Sequence, residues 1–212
     1  NGTGQWTSQS AMGLRLPIPV IDSAVSARDL SALKEERVAA QKMLKWHKVT
    51  FRGNDSELID WLETALYFSM ITAYAQGMSL LQRASVEYNY GLKLNEVARI
   101  WRGGCIIRSA LLEDITTAYS DEPELSNLMV NQRLALKLEQ CQDGFRLAIK
   151  TAIDTGVPMP AMMASLSYYD GYRSGWLPAN LIQAQRDDFG AHMYERIDRQ
   201  GIFHTQWVQK QQ

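Results

Sequence analysis

Three basic side chains stand where an anion could be gripped. Arg28 lies on a helix that begins after a Pro17-Ile18-Pro19 turn, with the small apolar neighbours Ala24 and Ala27. An arginine in that setting can bury its stem and present a planar, five-donor head to a phosphate or carboxylate. Without further context the plain reading is an ordinary surface arginine. Arg186 and His192 stand on either side of Gly190. Their spacing keeps them off a single helical face unless the backbone bends, yet a ligand at a helix end or beside a break could touch both. Taken alone, His192 reads as a structural or surface histidine.

Other polar residues offer less chemistry. His47 and His204 have no metal-ligand spacing with His192, so no metal is expected. Gly2-Thr3-Gly4 would let backbone donors approach a ligand closely, but no strand-borne Gly-x-Gly-x-x-Gly and no Walker lysine accompany it. It reads as a tight turn before a helix. Asp187-Asp188 and Asp121-Glu122-Pro123-Glu124 read as solvated faces or cap acids. Tyr168-Tyr169-Asp170-Gly171-Tyr172 lacks the basic groove of a base-stacking platform and reads as helix packing. Cys105 and Cys141, the only cysteines, form no disulfide framework and are expected as buried free thiols in a reducing, cytoplasmic setting.

Balanced charge narrows the partners. With 22 basic and 23 acidic residues the net charge is -1, so no nucleic-acid or membrane-surface attraction is expected beyond a local anion site. No apolar run approaches the roughly 18 residues of a bilayer span. The opening Asn1-Gly2-Thr3-Gly4 carries neither an initiator methionine nor a leader, and reads as the interior of a longer protein.

The elements that must position these residues are helices. Apolar spacing and caps predict helices over Thr7 to Leu14, Val20 to about Leu44, Glu57 to about Tyr88, Leu94 to Trp101, Cys105 to Tyr119, Glu124 to Met129, Asn131 to Thr155 and Leu181 to about Ile197. Lys45 to Asp55 reads as a surface loop. Few charges fall between Glu63 and Arg83, which makes the third helix the candidate for the core centre. Trp6 to Arg28 and Leu147 to Tyr169 can be laid together at one constant offset, superposing Pro17-Ile18-Pro19 on Pro158-Met159-Pro160. Each copy is helix, Pro-x-Pro turn, helix, which suggests an internal duplication. The expected architecture is all-α over residues 1–201, with related multi-helix units at about 6–100 and 147–201. Residues 202–212 form a C-terminal tail whose Phe203 and Trp207 give it something to bury, across another subunit or otherwise.

Three stretches carry a family resemblance: Gly2 to Ala11, the run Trp101-Arg102-Gly103-Gly104-Cys105-Ile106-Ile107-Arg108, and Leu181 to His192 with its Gln185-Arg186-Asp187-Asp188-Phe189-Gly190-Ala191-His192 end. Together they resemble the C-terminal all-helical domain of decarboxylating 6-phosphogluconate dehydrogenases over essentially the whole chain. The resemblance implies an oxidoreductase of the pentose phosphate pathway and of gluconate utilisation, working as a homodimer. Its chemistry is hydride transfer from C3 of 6-phosphogluconate to NADP, loss of the C1 carboxylate from the 3-keto acid, and protonation of an enediol, giving ribulose 5-phosphate and CO2.

Carried over residue by residue, the resemblance makes Arg28 a substrate-phosphate contact. It makes Arg186 and His192 residues sent by one subunit into its partner's pocket, the arginine to phosphate and the histidine to the sugar acid. Asn1 stands where the family has a substrate-binding lysine. The NADP-binding Rossmann domain and the acid–base residues lie upstream in the family, so this segment holds neither a catalytic nor a cofactor-binding residue and is expected to be inactive alone. Two competing readings remain: a dimerisation module without ligand affinity, and a β-hydroxyacid dehydrogenase acting on another phosphorylated acid.

Overall fold

The longest element of the computed structural model, which describes residues 2–45 and 49–207, is α4, Asp55–Glu87. Its 33 residues span about 50 Å at the usual rise. Asn54 starts it, its side chain accepting from Ser56 N at 2.9 Å. Phe68, Ile71, Ala75 and Met78 are fully buried along it, together with Thr72 and Gln76. The sparse charge of this segment thus predicts its place at the core centre.

Eight further helices follow or precede it among the described residues. α1 is Gly4–Gly13, α2 Pro19–Ala32, α3 Lys34–Met43, α5 Leu94–Gly103, α6 Leu111–Asp121, α7 Gln132–Thr155, α8 Pro160–Tyr172 and α9 Asn180–Gly190. A 3-10 turn covers Leu128–Val130, and the only strands among the described residues are β1, Tyr194–Glu195, and β2, Ile202–Phe203. The expected all-α class holds. By compactness the chain divides into a unit of Asn1–Tyr169 and one of Asp170–Gln212.

In the first unit α7 lies against α4. Phe145 and Phe68 sit 4.8 Å apart, and Tyr169 meets Phe68 edge-on at 4.9 Å. The two helices approach closely because Gly144 has no side chain: a Cβ there would stand 2.5 Å from Thr64 Oγ1. Asn131 caps α7 through Leu134 N, and left-handed Gly156 closes it, with Val157 N donating to Ala152 O at 2.8 Å.

Four local expectations need correction. The helix predicted over Val20 to Leu44 breaks at Leu33. Ser31 Oγ donates to Arg28 O and the Arg37 guanidinium to Ser31 O, so side chains take backbone groups that a continuous helix would use. The helix predicted from Cys105 begins only at Leu111, because Gly104 takes φ 157, a backbone few other residues adopt. Cys105 is consequently exposed and Cys141 only half-buried. The short helix predicted over Glu124 to Met129 reduces to the 3-10 turn. The last helix ends at Gly190 rather than Ile197, and the chain turns back as the β1–β2 hairpin.

Candidate functional site

Arg28 is placed by the way α2 begins. Pro19 opens the helix, where its missing N–H is no loss. The next donor, Val20 N, reaches across to Gln76 Oε1 of α4 at 3.0 Å. Both residues are buried, so an unmet N–H there would cost about 1–3 kcal/mol. Buried Ile18 and Val20 complete the anchor. α1 adds a second hold: Ser8 Oγ donates to Asp22 Oδ1 at 2.7 Å, and a Cβ on Gly4 would meet Val25 at 2.9 Å. Gly4 therefore serves close packing of α1 on α2.

Arg28 leaves α2 one turn from its end, exposed rather than buried along its stem. No described residue pairs with its guanidinium. Beside it, a groove of about 390 Å³ is lined by Asp22, Ser23, Ser26, Ala27, Leu30 and Pro160, among others.

The second unit holds Arg186 and His192. Both are exposed, and the backbone bend their spacing required is present: Ala191 has φ 50, closing α9 in the left-handed conformation, and Met193 has φ 60. His192 sits between them with its ring over Gly190, where a Cβ would come within 3.0 Å of Nε2. Gln183 ties Arg186 to the backbone of Met193, the residue after His192. Its Oε1 accepts from Arg186 Nη1 at 3.2 Å and its Nε2 donates to Met193 O.

Below this turn lies the residue that the sequence reading misplaced. Asp187, expected on a solvated face, is fully buried. Oδ1 accepts from Met193 N at 2.9 Å and from His204 Nδ1 at 2.9 Å; Oδ2 accepts from Thr205 N at 2.9 Å and Trp207 Nε1 at 3.0 Å. Burial alone would push the carboxyl up, but the bonds from Thr205, His204, Trp207 and Met193 together outweigh it and hold it well below the ordinary carboxylate range. An ionised carboxylate only accepts, so His204 Nδ1 is the donor.

Helical phase could have found Asp187. Gln183, Ala184 and Asp187 share the covered face of α9, while Leu181, Ile182 and Phe189 point outward, Phe189 at 81% exposure. The helix is inverted, polar side in, and an apolar-periodicity reading selects the wrong face. Beside α9 a cavity of about 410 Å³ is walled by Trp176, Gln183, Tyr194, Arg196 and Trp207.

Asn1 and His47 lie outside the described residues. Among the described residues no cluster of three or more histidine, cysteine or carboxylate side chains could hold a metal. No described helix is long and apolar enough to cross a membrane.

Residues 1–207 match the model of the family described as 6-phosphogluconate dehydrogenase, C-terminal domain. The chain is 51% identical over 208 residues to the NADP(+)-dependent, decarboxylating 6-phosphogluconate dehydrogenase of Bacillus subtilis, covering 98% of this chain and 44% of that protein. It is 48% identical over 209 residues to the decarboxylating 6-phosphogluconate dehydrogenase of Staphylococcus epidermidis, covering 99% and 45%. Among solved structures, the Plasmodium falciparum 6-phosphogluconate dehydrogenase, studied as the apo form and with NADP+ or 6-phosphogluconate, superposes with a TM-score of 0.91 at 39% identity. That match covers 98% of this chain and 45% of the other. The chain thus spans less than half the length of each of these relatives.

Proposed function

The chain belongs to the 6-phosphogluconate dehydrogenase family as its C-terminal domain, and on that premise we propose that it forms the substrate-side half of an enzyme that oxidatively decarboxylates 6-phosphogluconate to ribulose 5-phosphate and CO2. The observation that carries this reading is the end of α9. There two groups suited to a phosphorylated sugar acid, Arg186 and His192, are exposed, and Gln183 ties Arg186 to the turn that carries His192.

Arg28 and Arg186 are the proposed phosphate ligands. A sugar phosphate carries about -1.5 to -2 charges at neutral pH and favours planar, bidentate, charge-assisted donors. An exposed guanidinium that no described carboxylate pairs, as at Arg28, is ready for such a ligand. His192 is proposed to hydrogen-bond the sugar-acid portion. Asn1 stands at the position proposed to contact substrate through a lysine in the family, and brings an amide in place of a cation.

NADP does not fit the residues present. The described strands are two residues each, and none leads through a glycine loop into a helix, so no nucleotide cradle is formed. The cofactor's site and the acid and base are assigned to the part of the enzyme this chain does not span. On this reading the chain alone is expected neither to bind NADP usefully nor to turn over.

A homodimer completes the proposed pocket. Its support is the outward apolar face of α9, with Leu181, Ile182 and Phe189, together with Ile197 at 84% exposure. A cytoplasmic location goes with the same reading, as does the duplication: α1–α2 and α7–α8 both run helix, Pro-x-Pro turn, helix, with Pro19 and Pro160 opening the second helix of each.

The test is an absorbance assay with 6-phosphogluconate and NADP. The full-length enzyme is expected to reduce NADP only with this substrate present, and the 212-residue chain not at all. Full turnover by the chain alone, or none by the full-length enzyme, contradicts the reading.

A further inference from the structure

His192 lies between two residues in backbone conformations that they would not keep unaided. Its neighbours Ala191 and Met193 are both left-handed without being glycine, at φ 50 and φ 60. Such conformations persist only where the surroundings over-determine them. Two side chains of α9 supply that constraint from opposite sides of one residue: Asp187 takes the N–H of Met193 and Gln183 binds its carbonyl. We propose that Asp187 is a positioning residue for substrate binding, fixing with Gln183 the turn that presents His192 and coupling it to Arg186. This rests on the assignment of Arg186 and His192 to substrate.

The chemistry of the site favours a carboxylate over any neutral group. Four donors converge on Asp187, two per oxygen, from Met193, His204, Thr205 and Trp207. An asparagine would have one acceptor oxygen for them and would turn an amide N–H₂ toward the rest. The same carboxylate therefore joins the His192 turn to the segment running from β2 to Trp207, so that both set together. Arg186 and Asp187 are adjacent in sequence with opposite fates, one exposed and one fully buried. The inward residue orients the helix end from which the outward one reaches. A turn set in advance spares the binding step the cost of ordering His192.

The test is steady-state kinetics in the full-length dehydrogenase, with circular dichroism on every variant. Asp187→Asn is expected to raise KM for 6-phosphogluconate about tenfold while KM for NADP stays within about twofold. Gln183→Leu shifts the same constant in the same direction by a smaller factor. On a His192→Ala background the Asp187→Asn penalty is expected to shrink to the part that acts through Arg186, because the turn no longer presents a histidine. A merely structural role would lower the folded, active fraction without this split between the two constants. Folded Asp187→Asn and Gln183→Leu enzymes with unchanged KM for 6-phosphogluconate overturn the proposal. So does an Asp187→Asn penalty that persists in full on the His192→Ala background. Should Asp187→Asn fail to fold, Gln183→Leu decides by the same split. If His192→Ala itself leaves KM unchanged, the assignment of His192 to substrate has failed, and the proposal falls with it for that separately visible reason.

Discussion

The indole N–H of Trp207 donates to Oδ2 of Asp187 at 3.0 Å, fastening the last described residue to the buried carboxylate of α9. Trp207→Phe keeps the ring and deletes the donor. Backbone amides of Ile202 to Thr205 are expected to exchange with deuterium faster in this variant, while those of α4 and α7 keep their parental rates. Equal protection throughout the hairpin would show that the hydrogen bond does not hold the segment.

Acid should release the same segment. Because the folded-state pKa of Asp187 is depressed, its stabilising contribution is fully present above its unfolded value of about 4 and is lost as pH falls through the lower folded value. Trp207 emission, with the other tryptophans replaced by Phe, is expected to be flat from neutral pH to about 4 and to change below it. Asp187→Asn should abolish that acid limb. A limb that survives in Asp187→Asn assigns it to another group.

Gly144→Ala tests the close approach of α7 to α4 at Thr64. Alanine favours an isolated helix by about 1 kcal/mol over glycine, but here its Cβ would fall 2.5 Å from Thr64 Oγ1. Overpacking of this kind costs about 1–3 kcal/mol, so a net loss of stability is expected in urea denaturation. Thr64→Ala in addition should restore the loss, since it removes the obstructing hydroxyl. A single Gly144→Ala variant more stable than the parent would refute the tight crossing.

Phe145→Ala removes a fully buried ring that touches Phe68. The expected loss is about 3–5 kcal/mol, read from the denaturation midpoint. A loss below about 1 kcal/mol would mean that the α4–α7 core repacks around the gap.

The sequence made some of this legible and concealed the rest for physical reasons. α4 announced itself because a helix covered on both sides must be nearly free of charge, and α2 because Pro17 and Pro19 force its start. The break at Leu33 was hidden, since the apolar spacing ends there and side-chain bonds from Ser31 and Arg37 decide it. Arg186 and His192 are proposed as ligands on the motif around Gly190, and the fold adds the bend that their spacing required. Asp187 was not legible: an Asp-Asp pair resembles a solvated face, and its four donors come from a turn and a hairpin segment that only the folded chain brings together. The exposed apolar side of α9 compounded the error.

The central claim is that this chain carries phosphate-binding groups for 6-phosphogluconate, with Arg28 among them. Calorimetric titration of 6-phosphogluconate into the chain tests it most directly. Saturable binding with Kd on the order of millimolar or tighter is expected, lost in Arg28→Ala while the circular dichroism spectrum stays parental. No saturable heat, or the same affinity in Arg28→Ala, would contradict the claim and favour a module that serves dimerisation alone.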